Sequence, residues 1–549
     1  MVRIPRAHFV ALHAARFAAE MLPGLNPRPL FQASHQAGLA FARSASDRPD
    51  WITISPPPEP DKHPWDIAHD HVNGTAPRSA VFKAMGDVYV EPDLLHPGPV
   101  LPETPIAPGE GLDTDYPPSG SQAFSPAWHL GGGFCDFVSA WKKTTGKGVR
   151  IAHLDTGYWP QHVSTPRNIL PRQGWNFYEG GGNTVDPGTS GLMKNPGHGT
   201  ATLALLAGKD VCLAFDGRQY SGAIGGAPDA DVVPVRIAAS VVHLYTKPLA
   251  QGLDYACAPG DFPPCHVVSL SHGGLPSTVW AEAVNRCYEA GVLIVAASGD
   301  SYYAVVTDIA THFTVYPSAF NRVITATGAT YEKAAYKTSR AFEMQGCWGP
   351  EAVMAKAVAA YTPNVPWMKW GTVNGWSING AGTSASAPQI AAACALWLSL
   401  YGQRFSVPWQ RATACREALL NTASEGNVNP TEIGRGILNV EAMLDPVMAN
   451  RIEAMVKDGT LREAPEDSVS WALWRVLFGI APPKSAIDEM YETEAAQILA
   501  RSTNADLINA TLTYRTGTRL GAKKRNQLRE AFLAEPSLSK TLSARLAPA

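Results

Sequence analysis

Three short segments of the sequence carry side chains that could perform one reaction together. Asp155 ends the apolar run IAHLD, His198 lies between two glycines in PGHGT, and Ser384 lies in AGTSASAP. A serine hydroxyl is a poor nucleophile at neutral pH. It becomes effective when an imidazole takes its proton and a carboxylate orients that imidazole. These residue types therefore predict nucleophilic catalysis, with Ser384 as nucleophile, His198 as general base and then acid, and Asp155 as the orienting acid.

Each of these residues also has a structural interpretation when it is taken alone. Asp155 could cap a turn, His198 could be a satisfied histidine at a helix start, and Ser384 could be an N-cap. The order along the chain is more informative, because acid, histidine, serine differs from the chymotrypsin order and from the α/β-hydrolase order. Ser384 also lacks a surrounding GxSxG motif, which disfavours a lipase or esterase of the α/β-hydrolase type.

The segments that must position these side chains alternate between strand and helix patterns. Predicted helices begin near residues 198, 246, 277, 384 and 408. Pro388 is expected in the first turn of its helix, where it costs no internal hydrogen bond. Predicted strands are the apolar runs at 149–155, 231–237, 266–271, 292–298 and 323–329. This alternation indicates an α/β fold, a doubly wound, mostly parallel sheet with helices on both faces.

The three segments together resemble the signatures of a known family. DTG at 155–157, GHGT at 197–200 and GTSASAP at 382–388 are similar, in order and spacing, to the motifs of subtilisin-like serine peptidases. The resemblance covers about 127–446 and ends in GRGILNVEA at 434–442. It implies a serine endopeptidase that hydrolyses a protein or peptide substrate through an acyl-enzyme on the serine.

The same resemblance assigns substrate binding to two further segments. SHGG resembles the strand edge that binds substrate backbone by strand addition, and SGD follows the strand that leads to the oxyanion site. Tyr316-Pro317 resembles a family Tyr-Pro pair with a cis peptide bond beside the specificity pocket. The predicted substrate-binding residues are Ser271, His272, Gly273, Gly274, Ser298 and Gly299.

Asp300 is the main departure from the family pattern. It occupies the position at which the resemblance implies an asparagine whose amide donates to the oxyanion. An ionised aspartate would repel that charge, so we expect Asp300 to be a catalytic residue that works protonated. In a second hypothesis the backbone N–H of Ser384 supplies most of the stabilisation. In a third the protein is a weak or inactive peptide-binding pseudo-protease, and in a fourth it is an acyl transferase or peptide ligase.

Changes in composition divide the chain into five predicted regions. Residues 51–94 combine a strand (WITIS), a helix (PWDIAHDHVN) and strands (VFKAMGDVYVEP). They resemble, in size and position, the propeptide that inhibits these peptidases, which implies a zymogen with an intramolecular partner and a processing site in or near the linker. The regions are an N-terminal helical extension (1–50), the propeptide-like unit (51–94), a Pro/Gly-rich linker (95–126), the peptidase domain (127–446) and a helical C-terminal domain (447–549).

Bulk properties exclude several classes of protein. The net charge of -3 gives no basis for nucleic-acid or membrane binding, and no apolar run is long enough to span a bilayer. The N-terminus lacks the continuous apolar core of a secretory signal, which predicts a cytoplasmic protein. Of the eight cysteines, Cys257 and Cys265 flank a short loop and could form a disulfide, but two free thiols are favoured without an export signal.

The calcium ligands that the resemblance implies are not matched. Ser164 stands where an early carboxylate ligand is expected, and the loop at 209–221 lacks the asparagine-rich ligands. Asp210, Asp216 and Asp229 could form a different site, although solvated surface carboxylates are the simpler interpretation. We therefore predict no cofactor and no metal site, with calcium kept as an alternative.

Overall fold

A computed structural model describes most of the chain. Most of the predicted helix at the N-terminus and most of the linker at 95–126 lie outside the described residues. Within the described ranges, every helix is too short or too polar to cross a lipid bilayer. The described residues are 1–4, 24–32, 49–74, 79–96, 125–189, 194–215, 218–258, 262–302, 313–338, 343–424, 429–469, 485–502, 507 and 521–547.

The N-terminal part of the chain forms a four-stranded antiparallel sheet with two helices, which we call the N-terminal body. Its strand order is β2-β3-β1-β4. Pro64 occupies the first turn of the first helix, and Gly74 ends it in a left-handed conformation. The elements are β1 (Val2–Ile4), β2 (Arg28–Pro29), β3 (Asp50–Thr53), α1 (Pro64–Asn73), α2 (Ser79–Ala84) and β4 (Tyr89–Val90).

Two predictions for this region need correction. β1 lies inside the sheet, between β3 and β4, so the boundary predicted at residue 50 does not separate two structural units. Residues 81–84, predicted as strand, belong to α2, and the strand pattern begins only at Tyr89. The predicted strand in WITIS and the predicted helix from Pro64 are confirmed.

The middle of the chain forms a seven-stranded sheet in which every neighbouring pair of strands is parallel. The strand order is β17-β15-β13-β12-β6-β10-β7. All five predicted strands are present, and the two edge strands β7 and β17 were not predicted. The strands of this sheet are β6 (Arg150–Asp155), β7 (Trp175–Asn176), β10 (Asp231–Arg236), β12 (Val267–Leu270), β13 (Leu293–Ala297), β15 (Val323–Ala329) and β17 (Ala357–Tyr361). The two-stranded sheets of the described residues are formed by β5 (Leu95–His96) with β11 (Leu244–Tyr245), β8 (Val211–Phe215) with β9 (Arg218–Gly222), β14 (Asp300–Tyr302) with β16 (Met344–Gly346), and β18 (Val365–Met368) with β19 (Trp376–Gly380).

Helices cover both faces of this sheet. Successive residues of one strand, such as Ile151 and Ala152, belong to two different apolar clusters, because side chains alternate across a strand. The long helix α8 is apolar on every side and almost wholly buried. The helices are α3 (Phe137–Ala140), α4 (His198–Ala207), α5 (Thr246–Cys257), α6 (Thr278–Glu289), α7 (Glu351–Met354), α8 (Thr383–Tyr401), α9 (Pro408–Thr422), α10 (Pro430–Ile433) and α11 (Val440–Met443), so all five predicted helix starts are confirmed.

The N-terminal body packs on α5 and α6 through a shared apolar cluster. Two carboxylates also bind the free N–H groups at the starts of these helices. Asp93 accepts a hydrogen bond from the N–H of Lys247 at 2.8 Å, and Glu91 accepts one from the N–H of Val279 at 3.2 Å. A carboxylate is favourable at a helix N-terminus, where the N–H groups lack internal partners and the helix dipole is positive.

The first two residues of the predicted linker, Leu95 and His96, form β5 and also pack against the peptidase domain. β5 pairs antiparallel with β11, and the ring of His96 stacks on Trp280 at a centroid distance of 4.3 Å. Nδ1 of His96 accepts a hydrogen bond from the N–H of Leu275 at 3.0 Å. The chain therefore leaves the N-terminal body next to the SHGG segment.

The C-terminal region is helical, as predicted, and its later helices contact the N-terminal body. Gln497 accepts a hydrogen bond from the indole N–H of Trp65 and donates one to the carbonyl oxygen of Pro276, each at 2.9 Å. Asp66 accepts hydrogen bonds from the N–H groups of Lys540 and Thr541. The helices are α12 (Pro446–Lys457), α13 (Ala486–Arg501), α14 (Ala522–Leu533) and α15 (Lys540–Leu546).

All eight cysteines are thiols in the structure. The sulfur nearest to Cys257 is that of Cys287 on α6, at 2.7 Å, and not that of Cys265. The structure therefore has no disulfide across the Pro/Gly loop between Cys257 and Cys265.

Candidate active site

Asp155 is the last residue of β6, a strand in which every residue is buried. Its Oδ1 accepts hydrogen bonds from the N–H of Thr156 at 2.7 Å and from Nδ1 of His198 at 2.8 Å. Burial by itself would raise the pKa of Asp155, but the neighbouring histidines and these hydrogen bonds hold it well below its usual range. The carboxylate is therefore ionised and holds His198 with a proton on Nδ1.

Two glycines allow the helix that carries His198 to approach β6. Gly197, which precedes the helix, has a φ of 81°. A Cβ on Gly199 would lie only 2.0 Å from the carbonyl oxygen of Gly157. The close approach explains the glycines in the GHGT segment. It brings His198 onto Asp155 at the carboxyl end of the sheet.

Ser384 is the second residue of α8. Pro388 lies inside this helix and not in its first turn, which corrects the prediction. Because proline has no N–H, the carbonyl oxygen of Ser384 loses its helical partner, and the hydroxyl of Ser271 donates to it at 2.9 Å. The hydroxyl of Ser384 donates to the carbonyl oxygen of Ser271 at 3.3 Å. These reciprocal bonds join the start of α8 to the end of β12.

The predicted nucleophile and base are both close to the segment that follows β12. His272, the neighbour of Ser271, has its ring centroid 5.2 Å from that of His198. Within the described residues, the hydroxyl of Ser384 hydrogen-bonds to Ser271 and not to His198. The hydrogen bond between a nucleophile and its base is often misaligned before a substrate binds.

Asp300 lies at the start of β14, directly beside α8. Its Oδ1 accepts a hydrogen bond from the N–H of Thr383, the residue before Ser384, at 2.8 Å. A Cβ on Gly382 would lie 2.9 Å from Oδ2, so the glycine leaves room for the carboxyl group. Burial raises the pKa of Asp300 to about 6, although the hydrogen bonds from Thr383 and the charge of His198 oppose the rise. The carboxyl group is thus half protonated near pH 6.

Comparison with known proteins agrees with this geometry. Residues 146–438, slightly more than half of the chain, match the family model described as the subtilase family, Peptidase_S8. The chain belongs to the subtilase family. Its seven-stranded parallel sheet between helices is consistent with that assignment.

Several bacterial proteases are similar to this subtilase. It is 29% identical over 300 residues to an alkaline protease of Alkalihalobacillus alcalophilus, an alignment that covers 54% of this chain and 64% of that protein. It is also 29% identical over 300 residues to subtilisin BL of Lederbergia lenta, covering 54% of this chain and 91% of that protein. An intracellular serine protease of Paenibacillus polymyxa is 25% identical over 309 residues, covering 56% of this chain and 83% of that protein.

The SHGG segment of this subtilase lies at the site, but its last residue is already paired. Gly274 donates to the carbonyl oxygen of Tyr316 at 2.8 Å and accepts from its N–H at 3.0 Å. Both backbone groups of Gly274 are therefore bonded within the chain, and substrate binding by Ser271, His272 and Gly273 stays a prediction. A Cβ on Gly273 would lie 2.3 Å from Cγ2 of Val315, so this residue must stay small. The Tyr316-Pro317 peptide bond is cis, as expected.

Ser298 and Gly299 connect β13 to Asp300 and form hydrogen bonds through their backbone. The side chain of Ser298 is fully buried, and its N–H donates to Ala326 at 2.9 Å as an extension of the sheet. The N–H of Gly299 donates to the hydroxyl of Thr383 at 3.2 Å. These two residues therefore position Asp300 and the start of α8, and their predicted role in substrate binding stays a prediction.

Sequence reasoning missed two side chains that hold Asp155. The hydroxyl of Thr202 lies 3.1 Å from Oδ2 of Asp155, and Nε2 of His153 lies 2.9 Å from the same hydroxyl. Burial lowers the pKa of His153 to about 4, so its neutral ring donates to Thr202, whose proton then goes to Asp155. Thr202 is four residues after His198 on a helix and His153 two residues before Asp155 on a strand, so periodicity could have identified both.

Two further rings enclose the imidazole of His198. Trp367, on the hairpin of β18 and β19, meets it edge-on at a centroid distance of 5.7 Å. His272 lies on another side, with Nδ1 3.8 Å from Oδ2 of Asp155. Burial lowers the pKa of His272 to about 4, so this ring is neutral at pH 7. The aromatic enclosure excludes water from the base and its acid.

The carboxylates considered for an alternative calcium site bind an arginine in this structure. The guanidinium of Arg167 pairs with Asp210 and also with Asp229, the latter at 3.2 Å. Oδ2 of Asp229 accepts a further hydrogen bond from the hydroxyl of Thr145 at 2.7 Å. Ser164 pairs with a ring nitrogen of His162. Asp216 lies outside the described residues.

Proposed function

We propose that this subtilase is a serine endopeptidase that hydrolyses peptide bonds through an acyl-enzyme on Ser384. The observation that carries the proposal is the 2.8 Å hydrogen bond from Nδ1 of His198 to Asp155. An imidazole with its proton on Nδ1 has a lone pair on Nε2, which in the proposed mechanism takes the proton of Ser384. A buried, ionised acid, an imidazole and a serine hydroxyl are the groups that acyl transfer requires.

The reaction proceeds in two matching halves. Oγ of Ser384 attacks the scissile carbonyl carbon while Nε2 of His198 takes the hydroxyl proton. The same proton passes to the leaving amine as the C–N bond breaks, which leaves an ester on Ser384. Water then loses a proton to His198 and attacks the ester, and the serine recovers its proton as the acid product leaves. Asp155 stays ionised and stabilises the imidazolium in both halves.

Two donors face the oxyanion in this proposal. The N–H of Ser384 belongs to the first turn of α8, where N–H groups have no partner within the helix. Protonated Asp300 is the second donor, with Oδ1 engaged by Thr383 and the other oxygen carrying the proton. Loss of one such donor typically costs about a hundred- to a thousandfold in rate.

Active-site labelling tests the primary proposal. A fluorophosphonate probe should label Ser384 of the wild-type protein after the chain has processed itself, and Ser384→Ala should remove both the label and the hydrolysis of a quenched peptide. An unlabelled wild-type chain at every pH between about 5 and 8 would contradict it. Addition of an amine nucleophile to the same assay separates hydrolysis from acyl transfer, because a transferase gives the amide as its main product.

We also propose that the chain is made as a zymogen in which the N-terminal body is the inhibitor. Support comes from its position on α5 and α6, with Asp93 and Glu91 bound at the starts of these helices. β5 then adds a strand to β11 and brings His96 against Gly274, where a Cβ would lie 2.6 Å from the ring. A chain that follows this path enters the region where the substrate backbone binds, as an inhibitory segment must.

Processing of the purified chain tests the zymogen proposal. The wild type should cut itself between residues 97 and 126, and intact mass and N-terminal sequencing locate the bond. Ser384→Ala should stay whole. After cutting, the N-terminal fragment should co-elute with the peptidase and inhibit it until it is degraded. Full activity of an uncut wild-type chain would contradict the zymogen and leave the peptidase proposal in place.

A pseudo-protease that binds peptides is the second candidate. It is favoured by the acceptor role of Asp300, whose carboxylate receives the N–H of Thr383 at a helix N-terminus, an arrangement that also suits the ionised form. In that case the chain binds unstructured peptides with no turnover, and Asp300→Asn produces cleavage that the wild type lacks.

We further propose that the protein acts in the cytoplasm and does not need calcium. The eight thiols suit a reducing compartment, and one relative is named as an intracellular serine protease. Arg167 supplies the positive charge between Asp210 and Asp229 that a cation would otherwise supply. Cell fractionation tests the first statement. Thermal unfolding with calcium or with EGTA tests the second, and equal midpoints are expected.

A further inference from the structure

Two histidines that the proposed reaction does not use flank Asp155. His153 has Nε2 3.9 Å from Oδ2 of Asp155, and His272 has Nδ1 3.8 Å from the same oxygen. The two rings differ in their hydrogen bonds. His153 is bound to the hydroxyl of Thr202, whereas neither ring nitrogen of His272 has a hydrogen-bond partner.

The unpaired ring of His272 calls for an explanation. The residue is only 5% exposed, and a buried polar nitrogen without a partner costs about 1–3 kcal/mol. A leucine of similar size would avoid this cost at the same position. A buried imidazole with a free lone pair lies here beside a carboxylate and a second imidazole. Together these three groups are the ligand types of a transition-metal site.

We propose that Asp155, His198 and His272 form an inhibitory site for a divalent transition-metal ion, with Zn²⁺ the best match. One oxygen or nitrogen from each side chain lies within 4.8 Å of the other two. A tetrahedral ion with bonds of about 2.0–2.2 Å needs ligands roughly 3.3 Å apart. The distances from Nδ1 of His198 to Oδ1 of Asp155, 2.8 Å, and from Nδ1 of His272 to Oδ2 of Asp155, 3.8 Å, bracket that value. Three protein ligands leave a fourth position for water.

The ion would switch the proposed peptidase off through the tautomer of His198. Nδ1 can bind the metal only after it gives up the proton that it shares with Asp155. The neutral ring then carries its one proton on Nε2, so it has no lone pair with which to take the proton of Ser384. The imidazole neither gains nor loses a proton overall, and removal of the metal restores the active tautomer. The inhibition is therefore reversible.

The inference rests partly on the proposed peptidase activity, so the primary test measures binding alone. Full-length Ser384→Ala with Cys212→Ser, which removes the exposed thiol, is titrated with Co²⁺ as a spectroscopic substitute for zinc. One ion per chain should bind and give the intense visible bands of a tetrahedral site. His272→Leu should weaken this binding by about a hundredfold or more. The matched variant His153→Asn, which keeps a donor towards Thr202, should stay within about tenfold of the parent.

The second readout is the inhibition of peptide hydrolysis by Zn²⁺. A chelator should reverse the inhibition of the wild-type chain. The rate of each variant with Zn²⁺ is compared with the rate of the same variant without metal. His272→Leu should lose the inhibition and His153→Asn should keep it. Equal Co²⁺ affinity of the two histidine variants, or no tetrahedral spectrum in the parent, would overturn the proposal whatever the catalytic activity. Metal binding without any peptidase activity would support the site and reject the proposed function.

Discussion

Oδ1 of Asp300 accepts a hydrogen bond from the N–H of Thr383 at 2.8 Å, which couples an acid with a raised pKa to the residue before the nucleophile. The same carboxyl group therefore binds the start of α8, next to Ser384. If Asp300 faces the oxyanion as proposed, its protonation state decides whether it offers a donor or a negative charge there.

Asp300→Asn should change the pH dependence of hydrolysis. The acid has a pKa of about 6, so about 1% of it remains protonated at about pH 8. If the protonated form is the donor, the variant should exceed the wild type up to about a hundredfold at pH 8 and match it within a few-fold below pH 5. The measurement is kcat/KM for a peptide between pH 4 and 9, with Ser384→Ala as the blank. A ratio of variant to wild type that does not change with pH would exclude the donor role.

Thr202→Val should slow catalysis without weakening substrate binding. Its hydroxyl donates to Asp155 at 3.1 Å, and a hydrogen bond to a buried charge contributes about 1.5–3 kcal/mol. We expect kcat to fall about tenfold or more with KM unchanged, because Thr202 positions the acid and lies in a helix away from the substrate. Thr202→Ser keeps the hydroxyl and should retain most of the activity. Equal losses in the two variants would show that packing, and not the hydrogen bond, is responsible.

Gln497→Ala should loosen the attachment of the C-terminal helices. The change leaves the indole N–H of Trp65 and the carbonyl oxygen of Pro276 without their partner, at a cost of about 2–4 kcal/mol. Urea unfolding of the variant in the Ser384→Ala background should show this loss. Gln527→Ala on the exposed face of α14 is the control and should cost less than about 0.5 kcal/mol. Similar midpoints for both variants would contradict the bridging role.

His69 makes the contact between the N-terminal body and α13 sensitive to acid. The ring is fully buried, stacks on Tyr491 at a centroid distance of 4.4 Å, and has a pKa lowered to about 4 by burial. The unfolded chain, with a histidine pKa near 6.5, binds more protons between pH 4 and 6.5. The contribution of His69 to the free energy of unfolding is therefore complete above about pH 6.5 and decreases as the pH drops towards 4.

His69→Phe should remove that part of the acid sensitivity. Between about pH 7.5 and 5, the loss in free energy of unfolding should be smaller than in the parent by about 2 kcal/mol. Denaturant unfolding of Ser384→Ala with and without the substitution measures this difference. The other histidines are common to both chains, so parallel losses would show that His69 does not titrate as described.

The sheet and the acid–base pair could be predicted because both depend on local patterns. Runs of β-branched and other apolar residues such as VRIAHLD are typical of strands, and Asp155 ends this strand whereas His198 begins an apolar helix. The pairing of β1 with residues 50–52 and 89–90 could not be predicted in this way. It depends on contacts between distant parts of the chain that leave no periodic signal.

The contacts around the candidate active site were predicted less well than the residues that form it. The backbone of Gly274 is paired with Tyr316, and the carbonyl oxygen of Ser384 accepts a hydrogen bond from Ser271. Both contacts depend on how separate loops meet in space, which local sequence patterns do not reveal. The raised pKa of Asp300 was expected in direction, because burial disfavours the charged form. The hydrogen bond from Thr383 that opposes it became visible only in the structure.

The N-terminal body is covered by helices from a distant part of the sequence. β1 and α1 come from the first part of the sequence, and α13 and α15 lie against them from the last part. The whole subtilase domain is synthesised between these pieces. Because domains fold during synthesis from the N-terminal side, the early strands must persist without their covering helices until α13 and α15 have been made. Packing of these helices on the N-terminal body therefore follows the synthesis of the subtilase domain.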